Sequence, residues 1–297
     1  MKTGNPILTS SLKRMSVSPF RETQVLLELA GFRFLTQRHV DDCLFGGSTL
    51  RPLSRQVIVR RVLVRLNRRG LVLQAPCTGG GPVAGAARLA YFLTAAGYSR
   101  ARALNPGLPA GRTGIRGTTL MGHGLMCADV ALAFRRAART HPGHQLVDWE
   151  CDWQAAERLG STVVVPDAHL VYLIGQCEIH AFIEVDLATE GSRVFARKID
   201  RYLDLCRSRE WQTHLPVWPI VLTVAPNASR AGALRRVTAT LLEAQHDSER
   251  IAKLVAFAFT SLDELLGQDG PFGAIWQFAG RSGRQPMFRP VEGEEAS

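Results

Sequence analysis

Three carboxylates and one ammonium group fall in a single stretch, Pro166 to Lys198. Asp167 follows a proline at the front of an apolar run. Glu184 and Asp186 sit inside a second run, and Lys198 comes after it. Ala181, Ile183, Val185 and Leu187 alternate with Phe182, Glu184 and Asp186. On a strand, that alternation puts the apolar side chains on one face and the two acids on the other. The acids would then stand roughly 7 Å apart, at about 3.3 Å per residue. They repel each other unless a proton or a cation intervenes. With Asp167 beside them they would form a nest of oxygen ligands suited to a hard divalent cation such as Mg2+. Each feature also has a plainer reading. Alternating acids can be the solvated face of a sheet, Pro-Asp commonly starts a turn, and a lysine on an apolar face can snorkel to water.

The elements that must position these groups follow from periodicity. Val194, Phe195, Ile199, Tyr202 and Leu203 share a helical stripe with Lys198, so that lysine needs a carboxylate partner or a route to water. Before the acids, Gln145 to Trp153 alternates. Val147, Trp149, Cys151 and Trp153 fall on one face, with Asp148, Glu150 and Asp152 on the other. Glu150 could face the same site from this strand. His123 to Arg139 reads as a helix with Leu125, Val130, Leu132 and Phe134 inward. Trp218 to Val224 reads as a buried strand, Ala228 to Gln245 as a long helix, and Ile251 to Thr260 as a last strand. A short helix then runs from Ser261 to Leu266, capped by Ser261 and Asp263. The order α-β-β-β-α-β-α-β predicts a mixed sheet with helices on both sides.

Charge separates this half from the one before it. The chain of 297 residues carries a net +10, but residues 1–120 hold 18 of the 36 Lys+Arg and only 4 of the 26 Asp+Glu. That half is therefore +14 and the remainder −4. A basic half joined to a mildly acidic one suggests a nucleic-acid-binding module attached to something else. Hydrophobic content of 46% suffices for a core, and no apolar run approaches the ~20 residues of a membrane span. The N-terminus lacks the apolar segment of a signal peptide. None of the six cysteines forms a C-x-x-C pair or a zinc spacing. Free thiols in the cytoplasm are the expectation. Neither G-x-S-x-G nor G-x-x-x-x-G-K-[ST] occurs, which argues against a serine hydrolase and an ATP-driven activity.

The basic half reads as three helices and a hairpin. After a flexible basic arm, 1–18, Glu22 to Leu35 is a helix with Val25, Leu26, Leu29 and Phe32 at helical spacing. Thr36 caps a second from Gln37 to Phe45, and Ser54 a third that runs to Arg69 and stops at Gly70. The third helix buries Val59, Val62, Leu63 and Leu66. Arg55, Arg60, Arg61, Arg65, Arg68 and Arg69 cover the rest, with no acid between Arg51 and Arg69 to pair with them. Leu71-Val72-Leu73 and Leu89 to Leu93 are strands around the glycine-rich loop Cys77–Ala87. This is the layout of a winged helix-turn-helix, whose third helix enters the major groove. Its wing, with Arg88 near the base, touches the backbone. A solvated amphipathic surface helix is the alternative. The expected organisation is the arm 1–18, a DNA-binding domain 19–104, a linker 105–119, a mixed-sheet α/β (α+β) domain 120–280 and a disordered tail 281–297.

The order Pro166-Asp167, hairpin, Glu184-x-Asp186 resembles the PD-(D/E)XK nuclease core. There an Asp and a Glu on adjacent strands hold the metal, and a Lys two residues past the Glu assists the attacking water. Asp186 stands where that Lys is expected, and Lys198 is the nearest candidate for a displaced one. The whole chain is similar to the replication-relaxation family of plasmids and integrative elements. The matching residues include Leu63-x-x-Leu66, Gly70-Leu71-Val72, Tyr91-x-Leu93-Thr94-x-x-Gly97 and His123. Further along they are Trp149-Glu150, Pro166-Asp167, Glu184-Val185-Asp186-x-x-Thr189 and Lys198-Ile199-x-x-Tyr202. They span roughly residues 20–245.

The resemblance implies a DNA-handling role in replication, mobilisation or DNA relaxation. Its partners would be DNA, relaxosome or replication proteins, and a second copy of the chain. Two functions compete. One is a Mg2+-dependent endonuclease or nickase, with Asp167 and Glu184 on the metal, Asp186 assisting, and Lys198 positioning or deprotonating water. The other is a non-catalytic DNA-binding accessory factor or regulator whose acids are structural.

Overall fold

A computed structural model describes residues 17–77, 88–108, 118–151, 154–155, 159 and 164–288 of the chain. The arm to residue 16, the loop 78–87, the linker 109–117, Asp152 and Trp153, and the tail from 289 lie outside the described residues. The protein is mixed α/β, with one three-stranded and one six-stranded sheet.

The first part runs α1 (Val17–Phe32), β1 (Leu35–Thr36), α2 (Gln37–Phe45), α3 (Pro52–Arg68), β2 (Val72–Cys77), β3 (Arg88–Leu93) and α4 (Ala95–Leu104). The helix α1 already begins at Val17, inside the expected arm. Thr36 caps α2 through its hydroxyl, which accepts from His39 N, while the His39 ring takes the Thr36 N–H. The expected Ser54 cap is replaced. Pro52 occupies the first turn of α3, where its fixed φ suits the helix and its missing N–H costs nothing. Gly70, at φ +67°, turns the chain out of α3. The strands order β1-β3-β2, all antiparallel. Val25, Leu26, Leu29, Val59, Val62, Leu63, Leu66 and Val72 form the core beneath them. Thr94 caps α4 and donates to Gly70 O at 2.7 Å, and Gly97 brings α4 against the Leu71 carbonyl.

The second part runs α5 (Thr118–Thr140), β4 (His144–Cys151), β5 (Ala168–Ile174), β6 (Cys177–Val185), α6 (Ser192–Ser208), β7 (Ile220–Ala225), α7 (Ala228–Glu243), α8 (Ser248–Leu254), β8 (Phe257–Ser261), α9 (Leu262–Leu265) and β9 (Gln277–Phe278). Its sheet orders β4-β5-β6-β7-β8-β9. The first three strands are an antiparallel meander, β6 to β8 are parallel, and β9 is antiparallel. Val130 and Phe134 of α5 pack with Leu170, Tyr172 and Ile183 on one face. Phe195, Ile199 and Tyr202 of α6 pack with Phe182, Val221 and Phe257 on the other. No described helix is long and apolar enough to cross a membrane.

Three departures from periodicity have local causes. A bulge between Leu146 and Asp148 interrupts the β4 alternation, so Leu146 packs against the core and Val147 is exposed. Ile251–Leu254, expected to open the last strand, instead end the helix Ser248–Leu254. Ile251 in that helix and Val255 just after it are buried at i,i+4, and the strand starts only at Phe257. Residues 281–288 are also ordered against the domain. Met287 is buried, and Gln285 exchanges backbone hydrogen bonds with Trp276.

The two sheets are not held apart on a tether. Ala128 and Ala131 of α5 belong to the first core, and α5 also carries ion-pair partners for the first part. Asp129 meets Arg38 and His39, Arg135 meets Glu28, and Arg139 meets Asp42.

Candidate functional site

Asp167 immediately precedes β5, and its N–H donates to Ile183 O at 3.0 Å, which fixes it beside β6. Its Oδ2 accepts from Val185 N at 2.7 Å and lies 3.1 Å from His123 Nε2 on α5. Glu184, only 3% exposed, projects from β6 towards α6. There Lys198 Nζ bonds Glu184 Oε2 and Tyr202 OH donates to Glu184 Oε1. Lys198 Nζ also lies 3.8 Å from Asp167 Oδ1. Lys198 and Tyr202 are four residues apart, so one face of α6 delivers both donors. The structure thus brings Asp167, Glu184 and Lys198 together. It adds His123 and Tyr202, to which the sequence reading assigned no chemistry. The signal for Tyr202 was its i,i+4 spacing from Lys198.

Asp186 is not brought into this group. The alternation carries on past Val185, with Asp186 N donating to Val224 O and Leu187 packed in the core on the α5 side, but the helix that Asp186 meets is α7 and not α6. Its carboxylate instead accepts from Arg230 at 2.8 and 2.9 Å and from Ala188 N at 2.9 Å. Arg230, in the first turn of α7, also donates to Glu190 O. Glu150 is likewise turned elsewhere, lying 3.2 Å from His169 Nδ1.

Burial and charge set the protonation states. Burial pushes the Glu184 carboxyl up to about 8, and the Asp167 charge adds to this against the pull of Lys198 and Tyr202. Burial would raise Asp167 too, but Lys198, His123 and the Val185 N–H outweigh it and hold Asp167 down to about 2. The two carboxyls are thus pushed apart, Asp167 being the first of the pair to ionise and Glu184 the last. For Lys198, burial would favour loss of the proton, but Glu184 and Asp167 overcome it and raise the ammonium above its ordinary value. An ammonium held charged in this way suits positioning and charge compensation. His123 is raised as well, because Asp167 more than offsets its burial.

The oxygens not engaged by Val185, His123 or Tyr202 are Asp167 Oδ1 and Glu184 Oε2, and both face one cation, the Lys198 ammonium. These two oxygens are the ones that would hold a divalent cation, with waters and a substrate phosphate completing its shell. Among the described residues, no three His, Cys, Asp or Glu groups are placed to hold an ion by themselves.

The second candidate surface is α3. Every acid of residues 1–120 is already engaged: Glu22 by Arg65 at 3.0 Å and Arg69 at 2.5 Å, Glu28 by Arg135, Asp41 by Arg55, and Asp42 by Arg136 and Arg139. Of the arginines picked out by sequence, Arg55, Arg65 and Arg69 are thus tied into the fold. Arg60, Arg61 and Arg68 are exposed and have no carboxylate partner among the described residues. Arg88 opens β3, next to the undescribed loop. Val57 and Val64 lie among the arginines in one shallow patch.

Comparison with known proteins adds one match. A family model described as replication-relaxation covers residues 26–221, which include α3 and the whole Asp167–Glu184–Lys198 group. No curated protein matches the chain closely enough to be called a relative.

Proposed function

The chain belongs to the replication-relaxation family, and from that premise we propose that it is a DNA-binding protein of a mobile element, acting in the cytoplasm in plasmid replication, mobilisation or DNA relaxation. The observation that carries this is the outward face of α3, where Arg60, Arg61 and Arg68 stand without acidic partners while every nearby acid is spent elsewhere. Three helices followed by a hairpin, with one face of α3 exposed, fit a winged helix that lays α3 in the major groove. Unpaired guanidinium groups attract phosphates and release counterions on contact. The role calls for DNA, with relaxosome or replication proteins and a second copy of the chain as further partners. The test is duplex binding across a salt series, with Arg60, Arg61 and Arg68 replaced together by Ala. Affinity should fall, and the slope against log salt should flatten by about 0.9 for each arginine that meets a phosphate. Unchanged binding would move the DNA surface elsewhere.

A second reading, phosphodiester cleavage, is favoured by the convergence of Lys198 on Asp167 and Glu184. Asp167 and Glu184 would hold Mg2+, which when bound supplies a Lewis acid and an activated water. The charged Lys198 would offset negative charge developing on a phosphate oxygen. Tyr202 and His123 would keep the two carboxylates aimed. Supercoiled plasmid incubated with Mg2+ or Mn2+ tests this, beside a Glu184→Ala control. Nicking that disappears in the variant supports a nuclease. DNA that is bound but not cut by the native chain favours the accessory binder.

A further inference from the structure

The outward face of α3 is not uniformly basic. Val57, Arg61, Val64 and Arg68 follow one another at spacings of four, three and four residues, so they form a single stripe along the helix. Val57 is 48% and Val64 42% exposed, and both line the same patch as the arginines. A surface that only neutralised phosphates would have no use for two branched apolar side chains standing between guanidinium groups. Resting on the DNA-binding reading above, we infer that α3 reads a short duplex sequence through Arg61, Arg68, Val57 and Val64 and does not bind by charge alone.

The chemistry of the stripe narrows what it can read. A guanidinium fork pairs with the O6 and N7 acceptors of guanine, and an apolar side chain packs on the thymine methyl group. Reading cytosine takes a carboxylate, and α3 carries none. Reading adenine takes an amide. Asn67 is already committed, with Nδ2 donating to Val72 O at 2.9 Å, and Gln56 lies off the stripe. From Val57 to Arg68 the helix rises about 16 Å, close to five base steps of about 3.4 Å. The expected target is therefore about five base pairs presenting guanine and thymine edges in the major groove.

The division of labour among the arginines follows from their partners. Glu22 holds Arg65 and Arg69, and Asp41 holds Arg55 through both carboxylate oxygens, so these three are braced against the fold. Arg61 and Arg68 keep their forks for bases, and Arg60, beside the stripe, is placed for a phosphate.

The test is selection of bound duplexes from a randomised library by the full chain at physiological salt, followed by binding to the enriched sequence. A short core carrying G and T should emerge. Replacing its thymines by uracil, which lacks the methyl group, or its guanines by 7-deazaguanine, which lacks N7, should each weaken binding by roughly 10-fold. Arg61→Lys keeps the charge but loses the fork. It should abolish the preference at one position, so that affinity for the enriched sequence falls towards that for unrelated duplex. Val64→Ser should remove the discrimination between thymine and uracil. Both side chains are exposed, so unchanged thermal unfolding of the variants serves as the folding control. Tight binding to duplexes with no core enriched would overturn the inference while leaving the DNA-binding reading intact. Failure to bind any duplex would overturn both.

Discussion

Replacing Asp167 by Asn removes one charge and almost no volume from the centre of the carboxylate–lysine group. Asn keeps an acceptor for the Val185 N–H, so the loss is mainly electrostatic. Asp167 is held near 2 in place of 3.8, and such a depressed carboxyl stabilises the folded chain by about 2 kcal/mol at neutral pH. The sign follows directly. The unfolded chain takes up this proton below 3.8 and the folded chain only near 2. The stabilisation is therefore complete above pH 5 and is lost as pH falls through about 2. Asp167→Asn should cost about 2 kcal/mol at pH 7 and nearly nothing at pH 2. Removing the Asp167 charge also relieves Glu184, whose own elevation it supports, so the cost should fall somewhat short of that figure. Urea unfolding followed by tryptophan fluorescence reads this, because Trp276 is fully buried. With a slope of about 3 kcal/mol/M, the midpoint should drop by about 0.7 M at pH 7. A penalty that stays the same from pH 7 to pH 2.5 would refute the electrostatic account. So would a variant as stable as the native chain at pH 7.

Tyr202→Phe leaves a buried oxygen of Glu184 without its donor, and should cost roughly 1–3 kcal/mol by urea unfolding. The penalty should shrink when Glu184→Gln is already present, because the two side chains act through one contact; equal penalties in both backgrounds would contradict that. Two glycines should respond in opposite directions. At Gly97 an added Cβ would overlap the Leu71 carbonyl oxygen, which is backbone and cannot swing aside, so Gly97→Ala should cost more than about 4 kcal/mol or yield no soluble protein. Gly31, near the end of α1, has nothing within 4 Å of that position, so Gly31→Ala should stabilise by roughly 0.5–1 kcal/mol. A calorimetric comparison that found both changes equally harmful would undo this reasoning.

Sequence by itself determined the features that depend on near neighbours. Thr36 before Gln37–Phe45 announced a cap, Gly70 announced the end of α3, and Val59, Val62, Leu63 and Leu66 announced its buried side. The order of elements in the second part was legible for the same reason, since helical and strand periodicities repeat within a few residues. Local reasoning failed where two signals competed. Ser54 is a good capping residue, but Pro52 starts the helix earlier, and the apolar run after Ile251 divides into the end of a helix and a strand.

What only the tertiary structure decided is which charges meet. Glu184 and Asp186 look equivalent along the chain, yet one faces Lys198 and the other Arg230, 44 residues further on. The arginines of α3 look alike, yet Glu22 and Asp41 claim some of them and leave others to solvent. Periodicity states which side of an element a charge occupies. The partner it finds there depends on how separate elements pack, and an ion pair acts over a few ångströms whatever the distance along the sequence.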